Sequence, residues 1–268
     1  GIECVSRYGA GASDTAPNPV FQEAGERTAE RALGGQHVWA PPEGLPDIYI
    51  AMGQTAENVR ELEGVTRQEM DEFAKLSQDR AVARVEDGFF ADEITPVTLP
   101  DGTVVDKDDG PRPGTTVEAL SQLKPVFRPD GEVTAGNACP LNDGAAAVIV
   151  MSDTKAAELG LTPLARVVAS GVSGLNPEIM GLGPIEASRQ ALARAGMTID
   201  DIDLVEINEA FAAQVIPSAK HLGISWDKLN VNGGAIALGH PFGQTGARIM
   251  TTLIHGLQDA DQTFGLET

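Results

Sequence analysis

The sequence is poor in cysteine and in basic residues. Only Cys4 and Cys139 occur in 268 residues, so no disulfide framework is expected and the predicted location is the reducing cytoplasm. The 19 Lys and Arg residues stand against 39 Asp and Glu residues, which gives a formal charge of −20. Because nucleic-acid phosphates require a basic surface, this charge argues against nucleic acid as a partner.

Aromatic residues and long apolar runs are also scarce. Aromatics make up 4% of the chain. No apolar run approaches the roughly 18 to 20 residues that span a bilayer, so no membrane span is predicted. Glycine, in contrast, occurs 30 times, among repeated runs of Ala, Val and Ile. This mixture is typical of closely packed α/β layers, and the length allows one large or two ordinary domains.

Hydrophobic periodicity and turn residues predict an alternation of strands and helices. A capping box at Thr66 opens a helix that Gly88 ends, and Asp101-Gly102 turns a hairpin. Residues 9–50 are predicted as loop because Gly, Ser and Pro punctuate them. The other predicted elements are strands at 93–99, 103–105, 145–151, 165–170 and 204–207, and helices at 152–162, 184–195 and 209–221.

The most distinctive stretch is 230–248, where a single histidine, His240, stands among five glycines. The apolar run 235–238 is short enough for a buried strand or a turn, and apolar residues recur at helical spacing after Gly243. His240 is therefore predicted to lie on a loop that leads into a helix N-terminus. Backbone amides and the helix dipole favour negative charge there, which suits stabilisation of an oxyanion. By itself, a histidine on such a turn more often has a structural role than a catalytic one.

The string Asn-Gly-Gly-Ala-Ile-Ala-Leu-Gly-His-Pro-x-Gly-x-Thr-Gly-Ala-Arg resembles the histidine motif of the thiolases, which make and break 3-oxoacyl-CoA. Residues 208–212 resemble the thiolase Asn-Glu-Ala-Phe motif, and similar segments cover nearly all of the chain. The resemblance implies the α/β thiolase fold, layered α/β/α/β/α. It assigns 1–8 to the end of the N-terminal domain, 9–138 to the loop domain, 139–162 to a return into the N-terminal domain, and 163–268 to an incomplete C-terminal domain.

The resemblance implies two catalytic residues in this chain. His240 is expected to act as the base for a nucleophilic cysteine. Together with a water held by Asn208, it is also expected to bind the thioester oxygen. From the residues alone, Asn208 ends a strand and could simply cap the next helix. Glu209 is expected to be a structural hydrogen-bonding carboxylate.

Three further residues are expected to contact the substrate, coenzyme A. Met52 lies in a segment resembling Met-Gly-x-Thr-Ala-Glu-Asn-Val, whose methionine contributes to the acyl pocket. Arg112 resembles the arginine near the nucleotide end of CoA. Cys139 replaces a serine that lines the CoA tunnel, and a thiol is a weaker hydrogen-bond partner than a hydroxyl. Because it matches a binding position, Cys139 is not the expected nucleophile. No metal and no tightly bound cofactor are predicted.

Both catalytic cysteines of thiolases are expected outside this sequence. The nucleophile precedes the family segment that 1–8 resembles, and the acid/base cysteine follows the strand that 264–268 resembles. The chain is therefore predicted to be a thiolase fragment, inactive by itself. Family members are dimers or tetramers, so a homodimer or homotetramer is expected.

The predicted activity of the intact protein is thiolytic cleavage of 3-oxoacyl-CoA to acetyl-CoA and a shortened acyl-CoA, in fatty-acid or related β-oxidation. Ala51 favours this degradative role, because biosynthetic acetoacetyl-CoA thiolases typically have a histidine at that position. The alternatives are a biosynthetic thiolase that condenses two acetyl-CoA molecules and a catalytically empty CoA-binding protein.

Overall fold

The computed structural model describes residues 1–7, 16–35 and 38–268 as a mixed α/β structure. Residues 8–15 and 36–37 lie outside the described residues. They belong to the predicted end of the N-terminal domain (1–8) and to the predicted loop domain (9–138). The described helices are α1 Gln22–Ala32, α2 Met52–Glu63, α3 Arg67–Glu86, α4 Val117–Ser121, α5 Asp153–Glu158, α6 Gly183–Ala195, α7 Ala212–Leu222, α8 Ala235–Leu238 and α9 Phe242–Asp259. The described strands are β1 Ile2–Cys4, β2 Val97–Thr98, β3 Val104–Val105, β4 Asp143–Ala145, β5 Leu204–Glu206 and β6 Gly265–Glu267.

Local sequence signals locate several of these elements correctly. The Thr66 side chain accepts the backbone N–H of Glu69, and the Glu69 carboxylate accepts the backbone N–H of Thr66, so the predicted capping box is confirmed. Gly196 ends α6 with a φ of 68°, a conformation that glycine adopts without steric cost. The predicted hairpin is confirmed, although only Val97–Thr98 and Val104–Val105 pair as strands.

The hydrophobic core lies between α3, α7 and the parallel pair β5 and β6. Residues 204–206 pair in register with 265–267, and both ends of β5 are buried. This confirms the strand predicted at 204–207. The helix predicted at 209–221 begins three residues later, at Ala212. Fully buried apolar side chains of the core include Met70, Val133, Val205, Ile207, Val215 and Leu229.

Two predicted strands are absent from the described structure. Residues 165–170 form no strand, and only Asp143–Ala145 pairs where a strand was predicted at 145–151. Ile149 and Val150 are 86% and 82% exposed. β-branched residues favour strands, but a strand forms only where a neighbour accepts and donates its backbone hydrogen bonds. Among the described residues, β1 and the adjoining Gly1 supply such a neighbour for 143–146 only.

Two segments are helical where the sequence predicted otherwise. Residues 22–32 form α1 inside the region predicted as loop. Their Glu, Arg and Ala residues are strong helix formers, and this propensity outweighs Gly25 and the nearby prolines. The run Ala235–Leu238, predicted as a strand or a turn, is the short helix α8. Four apolar residues are too few for periodicity to distinguish these states.

The parallel pair β5 and β6 brings two glutamates side by side. Glu206 lies opposite Glu267 in the register, and the Glu206 carboxylate is almost completely buried. Burial raises the pKa of Glu206 to about 8 and the pKa of Glu267 to about 7, while the charge of Arg248 lowers both. Because the raised pKa disfavours ionisation of Glu206 in the folded state, folding should weaken as the pH rises.

We therefore expect the free energy of unfolding to fall as the pH rises from about 4.5, near the unfolded pKa, to about 8. Glu206→Gln should remove much of this loss. At pH 8.5 its free energy of unfolding should exceed that of the wild type by about 2 kcal/mol or more, because each pKa unit corresponds to about 1.4 kcal/mol. Urea unfolding at pH 5 and at pH 8.5 provides the measurement. At pH 5 the two proteins should differ little, and an equal difference at both pH values would contradict this account.

Candidate active site

Strand β5 delivers Asn208 to the edge of the core. The backbone N–H of Asn208 donates to the carbonyl of Thr268, and the Thr268 N–H donates to the carbonyl of Glu206, so the parallel pairing continues to this point. Asn208 does not cap the following helix: Phe211 occupies the N-cap position of α7, and no side chain caps it. The capping alternative is therefore wrong, and the Asn208 side chain is left to face His240.

The Gly-rich turn that precedes His240 is held by a buried carboxylate. Glu209 accepts hydrogen bonds from Ser77 Oγ at 2.6 Å, Asn230 Nδ2 at 2.8 Å and the backbone N–H of Ile236 at 3.1 Å. A Cβ on Gly234 would overlap this carboxylate, so glycine is required for the close approach. The prediction that Glu209 is a hydrogen-bonding structural carboxylate is confirmed by these contacts.

His240 lies on the loop between α8 and α9, two residues before α9 begins, as predicted. Its Nε2 is 3.3 Å from Nδ2 of Asn208, and its Nδ1 is 2.7 Å from Oγ1 of Thr245. The ring also lies edge-on to Phe242, with 5.1 Å between the ring centres. The structure thus brings together the two residues that the sequence identified as catalytic candidates.

The surroundings of His240 favour the neutral imidazole. Partial burial, and to a smaller extent the positive charge of Arg248, lower the pKa of His240 below its usual value. A neutral imidazole has a free lone pair on one ring nitrogen, so it can accept a proton. His240 is thus chemically suited to act as a base at neutral pH.

Cys139 lies beside the loop that carries Asn208. Its backbone N–H donates to the carbonyl of Ala210 at 3.0 Å, and the adjacent Ala138 forms an antiparallel bridge with Phe211. Burial raises the pKa of the Cys139 thiol to about 11, and the charge of Glu209 adds to this effect. A thiol that stays protonated at neutral pH is a poor nucleophile, which supports the expectation that Cys139 does not attack substrate.

The backbone of Arg112 is hydrogen-bonded to α3. Its backbone N–H donates to Gln78 Oε1 at 2.8 Å, and Nε2 of the same glutamine donates to the carbonyl of Ile236 at 3.3 Å. The side chain of Arg112 is exposed, as a contact for a phosphate in solution requires. Gln78 therefore ties the Arg112 segment to the turn before His240.

Met52 is the first residue of α2 and is half exposed. Two aromatic rings connect its helix to the Asn208 loop. Gly53 packs directly on the ring of Phe127, and that ring lies edge-on to Phe211 with 6.1 Å between ring centres. Met52 is thus linked to the site through packing, and within the part of the chain that the structure describes it forms no hydrogen bond with His240 or Asn208.

Sequence reasoning assigned no role to four residues that shape the site: Gln78, Phe127, Phe211 and Thr245. Thr245 carried a usable signal, because a residue five positions after His240 on the first turn of the predicted α9 can reach back to the preceding loop. Gln78 and the two phenylalanines come from segments far apart in the chain, so no local pattern could bring them together.

Family models match both halves of the chain. The model described as "Thiolase, N-terminal domain" matches residues 35–154, and "Thiolase, C-terminal domain" matches residues 161–268. The chain belongs to the thiolase family. The predicted α/β thiolase fold is confirmed, and the finer division into four segments stays a prediction.

Curated thiolase relatives from bacteria carry acetyltransferase names. The "Acetyl-CoA acetyltransferase" of Pseudomonas aeruginosa is 52% identical over 232 residues, which are 84% of this chain and 59% of that protein. The protein of the same name from Paracoccus denitrificans is 47% identical over 260 residues, 94% of this chain and 65% of that protein. The chain therefore spans about three fifths of the length of these relatives.

Solved thiolase structures share the fold. The acetyl-CoA acetyltransferase of Bacillus anthracis superposes with a TM-score of 0.81 at 40% identity, covering 99% of this chain and 66% of that one. Human mitochondrial 3-ketoacyl-CoA thiolase in complex with CoA gives a TM-score of 0.79 at 44% identity, covering 81% and 55%.

Residues 1–7, 16–35 and 38–268 show neither a membrane-spanning helix nor a cluster of metal ligands. None of their helices is both long and apolar enough to cross a bilayer. The same residues contain no group of three or more His, Cys, Asp or Glu side chains arranged to hold a metal ion.

The contact between Gly53 and Phe127 makes a prediction about stability. Gly53→Ala should lower the free energy of unfolding by about 1 to 3 kcal/mol, because the added methyl group displaces the Phe127 ring. Urea unfolding measures the change. Gly25→Ala in α1 is the matched control, because a Cβ there meets no atom within 4 Å. It should stabilise by about 0.5 to 1 kcal/mol, so a similar loss in both variants would contradict the packing argument.

Proposed function

We propose that the protein is the histidine-bearing part of a degradative thiolase, which cleaves 3-oxoacyl-CoA to acetyl-CoA and an acyl-CoA shortened by two carbons. The observation that supports this most directly is the contact of 3.3 Å between Asn208 Nδ2 and His240 Nε2. It joins the two family motifs at one point, with Asn208 at the end of a parallel strand and the neutral His240 before a helix N-terminus.

The reaction requires a base, a nucleophile and an acid. Nε2 of His240 takes the proton of a cysteine thiol, and the thiolate attacks the 3-keto carbon of the substrate. The bond between C2 and C3 breaks, and a second cysteine protonates C2 of the resulting enolate, which leaves as acetyl-CoA. The thiol of a second CoA then gives its proton to that cysteine and displaces the acyl group, and the released thiolate recovers its proton from His240.

Nε2 of His240 serves in two successive roles. It accepts the thiol proton first, and once protonated it can donate a hydrogen bond to the substrate oxygen on which negative charge develops. A water held by Asn208 supplies the other donor. Donors arranged in advance around a developing charge stabilise the transition state strongly, because no reorganisation is needed at the moment of reaction.

Neither cysteine of this chain fits the required thiols. Cys139 keeps its proton because of burial, and Cys4 is exposed and faces the Asp143 carboxylate at 3.4 Å. We expect parts of the thiolase outside these 268 residues to supply both thiols. The 268-residue chain alone should therefore be inactive.

The remaining contacts follow the same proposal. Arg112 would contact a phosphate of CoA, Cys139 would line the pantetheine tunnel, and Met52 would border the acyl pocket. CoA is then a substrate, and no tightly bound cofactor is needed. The proposed protein is a homodimer or a homotetramer, and it acts in the β-oxidation of fatty acids in the cytoplasm.

A biosynthetic acetoacetyl-CoA thiolase is the second candidate. The names of the bacterial relatives favour it, whereas Ala51 favours the degradative role. A form of the protein that carries both cysteines should cleave a medium-chain 3-oxoacyl-CoA at a kcat/KM at least comparable to that for acetoacetyl-CoA. Steady-state assays with the two substrates measure this ratio. A strict preference for acetoacetyl-CoA would establish the biosynthetic alternative instead.

The assignment of His240 is tested in the same form of the protein. His240→Ala should reduce kcat by about 10²- to 10³-fold, as expected for loss of a base and oxyanion donor. His221→Ala is the control, because His221 is partly exposed and pairs with Glu63 away from Asn208. Unchanged thiolysis in His240→Ala would refute the assignment. Absence of thiolysis and of a covalent acyl adduct in the wild type would favour the catalytically empty CoA-binding protein.

A further inference from the structure

Thr245 is a buried residue in the first turn of α9, and its hydroxyl lies between two polar groups. Oγ1 is 2.7 Å from Nδ1 of His240 and 3.0 Å from the carbonyl oxygen of Pro241. The side chain is only 5% exposed, so water does not compete freely for these contacts. Thr245 is therefore the protein group that contacts His240 on the side opposite Asn208.

The hydrogen-bond donors around His240 determine where its proton lies. In the orientation that the Asn208 amide adopts, its Nδ2 lies 3.3 Å from Nε2 of His240 and can only donate, so Nε2 is the acceptor. The proton of the neutral ring then lies on Nδ1 and is donated to Oγ1 of Thr245. The Thr245 hydroxyl proton remains free to be donated to the carbonyl of Pro241.

The other tautomer creates a conflict at Asn208. A proton on Nε2 would face the Nδ2 donor of Asn208, unless the amide group of Asn208 were reversed. In the present orientation Oδ1 of Asn208 is buried and has no hydrogen-bond partner among the described residues. The proton position on His240 and the orientation of the Asn208 amide are therefore coupled.

We infer that Thr245 is a positioning residue that holds His240 in the tautomer protonated on Nδ1, so that Nε2 stays free to accept a proton. The catalytic consequence rests on the proposed function, in which Nε2 takes the thiol proton. The tautomer itself is a property of the folded chain and does not depend on that function. Once Nε2 is protonated, Thr245 still accepts from Nδ1 and stabilises the charged ring.

The test is a long-range ¹H–¹⁵N spectrum of the ¹⁵N-labelled 268-residue chain at a pH where His240 is neutral. His240 signals are identified by their loss in His240→Gln, since the chain also contains His37, His221 and His255. We expect the wild type to show a protonated Nδ1 and an unprotonated Nε2. Thr245→Ser, which keeps the hydroxyl, should show the same pattern.

Thr245→Val removes the hydroxyl at nearly constant volume and should shift His240 to a mixture of tautomers or to the form protonated on Nε2. Far-UV circular dichroism establishes that the variant is folded, and Thr245→Ala replaces it if it is not. The inference is overturned if the wild type carries its proton on Nε2, or if removal of the hydroxyl leaves the tautomer unchanged in a folded variant.

In a form that carries both cysteines, Thr245→Val should lower kcat by about tenfold or more, since a positioned base contributes about 10² to 10⁴ in rate. Thr245→Ser should restore most of the activity. The two proposals fail differently. A wild type with the expected tautomer but no thiolysis contradicts only the proposed function, whereas normal thiolysis with the proton on Nε2 contradicts only the role of Thr245.

Discussion

The arrangement of the candidate site depends on the buried carboxylate of Glu209. This one group joins α3 through Ser77, the segment between α7 and α8 through Asn230, and α8 through the backbone of Ile236. Burial raises the pKa of Glu209, whereas its hydrogen bonds and the charge of Arg248 lower it. Loss of the carboxylate would leave several buried donors without partners, which costs about 1 to 3 kcal/mol for each group. The Gly-rich turn is therefore held in place by the buried, ionisable side chain of Glu209.

A single line of hydrogen bonds runs through the site from Asn208 to His240, Thr245 and Pro241. The two residues that contact His240 belong to different elements: Asn208 follows a parallel strand, and Thr245 belongs to the first turn of a long helix. The central histidine is on a loop, but both its ring nitrogens are held by residues on or next to regular structure. This explains how a loop residue can present one defined nitrogen to a reacting group.

The sequence predicted what local patterns encode. The Thr66 capping box, the Gly196 helix end and the position of His240 before a helix all depend on neighbouring residues, and all were correct. The motifs also identified Asn208 and His240 as partners. The prediction of a strand at 165–170 was wrong, because strand formation depends on a distant partner that propensity does not reveal. The connection from α2 through Phe127 to Phe211 was missed for the same reason, since its parts are about 75 or more residues apart in the chain.

The exposed β-branched segments have a consequence for how the chain behaves in solution. Ile149, Val150, Val167, Val168 and Val172 are all more than half exposed on backbone that forms no described strand. Such segments are templates for strand pairing between molecules. The net charge of −20 opposes this by mutual repulsion, and 0.1 M salt screens that repulsion beyond a distance of about 10 Å. Mutual repulsion therefore keeps copies of the chain apart in solution, and a higher ionic strength should increase their association through these segments.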